Sequence, residues 1–170
     1  MNFQVAYSQP CQTSKVEVAM AGLHNAMACG SRLDRRQAID HLESEMAKLP
    51  QVEQPLEHHF TEGLYGREIF NPKDSIIVTK IHKAPNFSFL LKGKLSVVTE
   101  DGVDVIEAPM FFVTKPGTKR VLYSHEDTIF MTVHPNPKND LNLEVLEAGI
   151  IAGGFDEVGT TTVPTLEDVR

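Results

Sequence analysis

From His58 to His134 the chain is a succession of short runs rich in Val, Ile, Phe and Thr, each cut off by Gly, Pro or an Asp-Gly pair. No other feature constrains the fold as much. The runs are His58 to Phe60, Tyr65 to Phe70, Ser75 to His82, Ser88 to Leu91, Leu95 to Thr99, Val103 to Glu107, Phe111 to Thr114, Arg120 to Tyr123 and Thr128 to His134. β-Branched and aromatic side chains suit a pleated, half-buried surface, so each run reads as a strand. Many short strands joined by tight turns make a sandwich or barrel. Asp101-Gly102 marks a hairpin, because that pair accepts the positive φ angles of a tight primed turn.

The flanking segments differ in character. Residues 1–14 are polar and turn-forming and read as a loosely held arm. Val16 to Cys29 carries Val16, Ala19, Met20, Leu23, Ala26 and Met27 at helical spacing, and Gly30 is placed to stop that helix. Ser31 or Asp34 can cap a second helix with Leu33, Ile39, Leu42, Met46 and Leu49 as its apolar stripe and Pro50 as its end. Its other face, with Arg35, Arg36, Asp40, Glu43, Glu45 and Lys48, is expected to be solvated. After His134, Asp140 can cap a short helix from Leu141 to Ala148, and Gly153-Gly154 releases a tail. The expected organisation is an N-terminal arm and helices over 1–50, a barrel over 51–136, and a C-terminal helix and tail over 137–170.

With 170 residues, of which 41% are hydrophobic, one ordinary core is expected. A net charge of −7 without Lys/Arg clusters speaks against a nucleic-acid partner, since phosphate binding needs a concentrated basic field. Cys11 and Cys29 stand in no metal or redox spacing, no basic leader opens the chain, and no run is long enough to cross a membrane. A cytoplasmic setting is the expectation.

At His82 to Gly93 and Pro116 to Arg120 the chain resembles the cupin superfamily, the RmlC-like jelly rolls. The first family motif is a His-x-His pair, a Glu, and a Gly ending the next strand; the second is Pro-x-Gly, then His and later Asn. His82 stands at the second His, Lys80 at the first, Asn86 at the Glu and Gly93 at the Gly. In the second motif Lys115 or Pro116 fills the Pro position, Gly117 the Gly, Arg120 the His and Ser124 the Asn. The resemblance implies a double-stranded β-helix whose metal ligands are mostly replaced, with no metal or other cofactor. Lys and Arg are cationic donors and cannot ligate a metal at neutral pH. The wider run from His58-His59-Phe60 through Gly63 to Ile69 and Thr132 to Pro135 is also similar to small cupin-like proteins of tailed bacteriophages. That second resemblance implies host cytoplasm or a virion as the location.

A cupin barrel holds small ligands in its mouth, among side chains that alternate inward. Period two puts Lys80 on the face of His82, and Arg120 joins them from the second motif. Arg67 or Glu68, Asn86, Tyr65, Tyr123 and His134 are the supporting candidates. Of His58 and His59 only one can enter, because neighbours on a strand face opposite ways. On the last strand the apolar set Ile129, Met131 and Val133 is the expected core face. Such a pocket favours a small polar or anionic molecule, since Arg pairs with planar oxyanions. If there is catalysis, His82 is the natural acid or base, in an epimerase or isomerase. The structural counter-expectation pairs Arg120 with Glu68 or Glu107 and makes the barrel a scaffold for self-association into a dimer or higher homo-oligomer, or for virion assembly. Phe87, Phe89, Phe111 and Phe112 are core or subunit-contact candidates, with core favoured.

Overall fold

A computed structural model describes residues 5–7, 13–49, 51, 54–154 and 157–158, with side chains from residue 17 onward. The chain-order elements are β1 (Val5–Tyr7), α1 (Thr13–Ala28), α2 (Arg32–Met46), β2 (Leu56–Thr61), β3 (Gly63–Asn71), β4 (Ile76–Val78), β5 (Ile81–His82), β6 (Asn86–Lys92), β7 (Lys94–Thr99), β8 (Gly102–Glu107), β9 (Met110–Thr114), β10 (Val121–Ser124), β11 (Thr128–Asn136), α3 (Leu143–Ile150) and β12 (Ile151–Ala152). One five-stranded sheet runs β1-β4-β10-β7-β8, a second runs β2-β3-β11-β6-β9, and β5 pairs with β12. Every pairing is antiparallel.

Without β1 and β2, which extend the sheet edges, the strand orders are β4-β10-β7-β8 and β3-β11-β6-β9. The eight strands therefore follow the two interleaved Greek keys of a jelly roll, the double-stranded β-helix. Each expected run is present, with small shifts at its ends, although Ser75 to His82 splits into β4 and β5. The turn from β6 to β7 needs Gly93: its φ is +82°, and a Cβ there would sit 2.5 Å from the Asp127 carbonyl oxygen. Gly117 has φ +77°, and its N–H donates to the His82 carbonyl at 3.0 Å, joining the two motif regions directly. The β7–β8 hairpin forms, but Thr99 pairs with Gly102, so Glu100-Asp101 make the turn. Neither has positive φ. The glycine opens β8 rather than bending the chain.

The first sheet is covered on both faces. Ile76, Val78, Val98 and Val121 face Ala19, Leu23 and Ala26 of α1 and Ala38, Ile39, Leu42 and Met46 of α2. The two helices meet closely at Gly22, where a Cβ would lie 2.7 Å from Leu42 Cδ1. Ser31 caps α2, its Oγ accepting from the Asp34 N–H at 3.1 Å. Leu33 lies off the stripe at 64% exposure, contrary to the spacing. The charged side of α2 is not simply solvated. Arg35 donates to the carbonyls of Cys29 and Glu100, and Asp40 and Glu43 both pair with Lys119. Burial works against the charges of Lys119 and Glu43, yet their mutual contacts keep the lysine pKa raised and the carboxyl lowered.

Within the arm, Val5–Tyr7 pairs with β4. Helix α3 starts after Asn142, which caps it in place of Asp140. The tail after residue 158, Cys11 and Pro50 lie outside the described residues.

Among the described residues, nothing covers the outer face of the second sheet. Phe87 is 53% and Phe111 68% exposed, and Val113 and Leu91 join them, so the core expectation holds for Phe112 alone, which packs against the inner cluster. The strand β11 expectation is reversed as well. Thr128, Phe130, Thr132, His134 and Asn136 are buried, whereas Ile129, Met131 and Val133 are half-buried on the outside.

Candidate functional site

Inward positions on β3, β6 and β11 form layers. Ile69 pairs with Phe130, which pairs with Leu90, and with Ile77, Leu95, Val97 and Leu122 they close the middle of the barrel. One layer toward the mouth, Arg67 pairs with Thr132 and Thr132 with Ser88. At the mouth Tyr65 pairs with His134. A cavity of about 1020 Å³ opens above this polar end. Its wall includes His58, Tyr65, Arg67, His82 and His134 from the barrel, and Leu143, Glu144, Glu147 and Ile150 from α3.

The placement of the predicted residues is mixed. His82, His134, Tyr65 and Arg67 line one cavity. Asn86 and Arg120 are buried directly behind them. Lys80 is not in the cavity; its Nζ reaches Glu43 of α2 at 3.3 Å. The strand breaks between β4 and β5, and the interruption ends the alternation that would have put Lys80 beside His82. Tyr123 also lies elsewhere, packed on the helix side of the first sheet with its hydroxyl donating to Asp74 Oδ1 at 2.9 Å. Glu68 points outward and pairs with His59 at 3.3 Å.

His58 is the histidine of its pair that enters, and its Nδ1 lies 2.7 Å from the Tyr65 hydroxyl. The helix residues Glu144 and Glu147 carried no motif signal; only a helix packed over a barrel mouth brings them in. Outside the barrel, Glu57, His59 and Glu68 place ligand atoms within 4.8 Å of one another on an exposed surface.

A directional hydrogen-bond chain supports His82. Arg120 Nη2 donates to Thr114 Oγ1 at 2.7 Å, and Thr114 and Ser88 hydroxyls are 2.6 Å apart. Ser88 Oγ donates to Asn86 Oδ1 at 3.2 Å, so Thr114 supplies the proton between the two hydroxyls. Asn86 Nδ2 then donates to His82 Nδ1 at 3.0 Å. A neutral imidazole accepting at Nδ1 carries its proton on Nε2. The Asn86 amide sets the direction, since its Oδ1 accepts from Ser88 and its Nδ2 donates to His82, and the Arg120 guanidinium, which can only donate, closes the other end at Thr114.

Burial, reinforced by the charges of His134, Arg120 and Arg67, lowers the His82 pKa to about 3. Burial and Arg67 bring His134 to about 4. Both rings are neutral at neutral pH and sit with centroids 5.0 Å apart. Burial lowers Arg120 to about 10, which leaves it charged, and its guanidinium stacks 5.2 Å from the Phe112 ring centroid. Among the described residues no carboxylate forms an ion pair with Arg120: Glu68 is held by His59 and Glu107 by Lys94. Burial also lowers Arg67 and raises Tyr65.

The residues at the positions where the resembled motifs carry metal ligands do not fit a metal. Lys80 lies outside the cavity, Arg120 is cationic, and Asn86 is committed to His82 Nδ1, the nitrogen facing it.

No family model matches the chain, and no curated protein matches it in sequence. Solved structures share parts of its shape. An acetylacetone dioxygenase from Acinetobacter johnsonii is 19% identical over 51% of this chain, with a TM-score of 0.40, and the match spans 65% of that protein. An RmlC-like cupin family protein with a double-stranded β-helix fold from Methanocaldococcus jannaschii is 16% identical over 51% of this chain and 84% of its own, at 0.43. A cupin-2 domain containing protein from Shewanella frigidimarina is 10% identical over 55% of this chain and 90% of its own, at 0.41. Independently of these likenesses, the strand order in the two sheets makes the chain a jelly roll.

Proposed function

We propose that this cupin-type barrel binds a small anionic molecule, a carboxylate or phosphate, in the cavity beneath α3, without a metal. The observation that carries the reading is the chain from Arg120 to His82, which leaves His82 Nε2–H as a fixed donor in the cavity that Arg67 also lines. Donors held in place by buried partners suit an oxyanion. Catalysis through His82 as a base, the epimerase or isomerase expectation, fits poorly, since an imidazole with a pKa of about 3 is a weak proton acceptor at neutral pH.

The test is thermal denaturation and titration calorimetry with phosphate, citrate and short carboxylates. A ligand present at about a hundred times its Kd should raise Tm by roughly 5 °C or more. If no anion at millimolar concentration shifts Tm or releases heat, the reading fails.

The uncovered phenylalanine face supports a second reading, in which the barrel is an interaction or assembly module. Native mass spectrometry of the protein as isolated separates the two, because it reports subunit number and retained small molecules together. A monomer retaining an anion speaks against the second reading; a ligand-free homo-oligomer that dissociates on Phe111→Asp speaks for it.

A further inference from the structure

The cavity wall is divided by charge. The barrel contributes Arg67 and the imidazoles of His58, His82 and His134, whereas the carboxylates among its lining residues, Glu144 and Glu147, both belong to α3. The division follows from construction: β2, β3, β5 and β11 build the floor, and one helix supplies the rim. Glu144 and Glu147 are three apart and so lie on the same helix face. Leu146, the buried residue of α3, anchors the helix.

A purely anionic ligand would meet two carboxylates of its own sign as it filled this space. A purely cationic one would meet Arg67. Resting on the anion-binding reading above, we infer that the ligand is a zwitterion, an amino-acid-like molecule whose acidic group reaches Arg67 and His82 Nε2–H while its ammonium group faces Glu147 and Glu144. Opposite charges at the two ends match the two walls, and like charges at either end are rejected. Most of the remaining lining is apolar, with Leu56, Leu143, Ile150 and Ile151 beside the polar Gln54 and Tyr65, so the segment between the charged ends is hydrocarbon or lightly polar.

The electrostatics agree with this geometry. Burial raises the Glu147 pKa, and the charge of Arg67 opposes that rise, so the two groups sense each other within the site. A ligand ammonium placed beside Glu147 would favour its ionised form.

The experiment uses three matched ladders at neutral pH: ω-amino acids from glycine to 6-aminohexanoate, the alkanoates from acetate to hexanoate, and the corresponding alkylamines. Binding is followed by calorimetry and thermal shift on the whole chain. At the chain length that spans the cavity, the zwitterion should bind at least about tenfold more tightly than its alkanoate, the size of one good charge contact. Glu147→Gln, a change at a half-exposed helix position, should erase that advantage while leaving alkanoate affinity equal or better. Alkanoates that bind as well as every zwitterion, or an advantage that survives in both Glu147→Gln and Glu144→Gln, would overturn the zwitterion and leave the anion site standing. Amines that bind as well as the zwitterions, or silence across all three ladders together with phosphate and citrate, would overturn both.

Discussion

Along β3, β6 and β11 the same strands serve two different interiors. Ile69, Leu90 and Phe130 fill the middle of the barrel, and one step further Arg67, Ser88 and Thr132 begin a polar end that reaches Tyr65, Asn86 and His134. Both ends are buried by the same pleat, so burial alone does not distinguish a core from a site. The middle layer is held by contact and water exclusion, which are non-directional. The polar end is held by ordered donors and acceptors, where the identity and direction of each group matter.

The largest expected effect belongs to the apolar layer. Leu90→Ala should cost about 2–5 kcal/mol in chemical denaturation, because Leu90 is fully buried and its strand neighbours cannot collapse into the void. A cost under about 1 kcal/mol would mean the middle of the barrel is not close-packed.

Acid should unfold the protein through the polar end. The folded pKa values of His82 and His134 lie near 3 and 4, below the usual 6.5. The unfolded chain therefore binds more protons in this window, so stability is complete above about pH 6.5 and falls as pH drops toward the folded values. Each imidazole should remove about 2 kcal/mol between pH 6.5 and pH 5. His82→Asn with His134→Asn should flatten that slope in urea titrations, and an unchanged slope would place the acid sensitivity elsewhere.

Arg120→Met should separate the two interiors most clearly. Methionine keeps much of the volume over Phe112 and removes a buried charge, so stability should change by less than about 1.5 kcal/mol. Affinity for an anion should nevertheless fall by about tenfold, because the chain that orients His82 loses its first donor. A large loss of stability with intact binding would make Arg120 architectural. The smallest effect is expected outside the barrel, where Tyr123→Phe breaks a solvent-facing bond to Asp74 and should cost under about 1 kcal/mol without altering anion binding.

Strands were legible because their signal is local: alternation, β-branching and the Gly and Pro stops all act within a few residues. The same holds for Gly93 and Gly117, whose positive φ angles impose their own residue type. Facing was less legible. On β11 either alternating set was a chemically acceptable core, and the inner one carries Thr132 and His134 because the barrel ends in a polar cavity at that level. Lys80 and His82 share a face only if a strand runs unbroken through both, and the break at residues 79–80 cannot be read from side-chain types. Phe111 and Phe87 looked like core from their strand context, yet among the described residues no helix lies over the outer face of the second sheet to cover them.

Residue order by itself determined a β sandwich or barrel with helical additions and the glycine turns, and it put Lys80, Asn86 and Arg120 where the resembled cupin motifs carry metal ligands. Only the tertiary structure decided that Asn86 and Arg120 belong to one chain ending on His82, that Lys80 and Tyr123 lie elsewhere, and that α3 brings Glu144 and Glu147 to the rim. The physical reason is range. Turn geometry and strand propensity are set by neighbours in sequence, whereas a buried hydrogen-bond chain joins groups from β5, β6, β9 and the residue just before β10 that meet only when both sheets close.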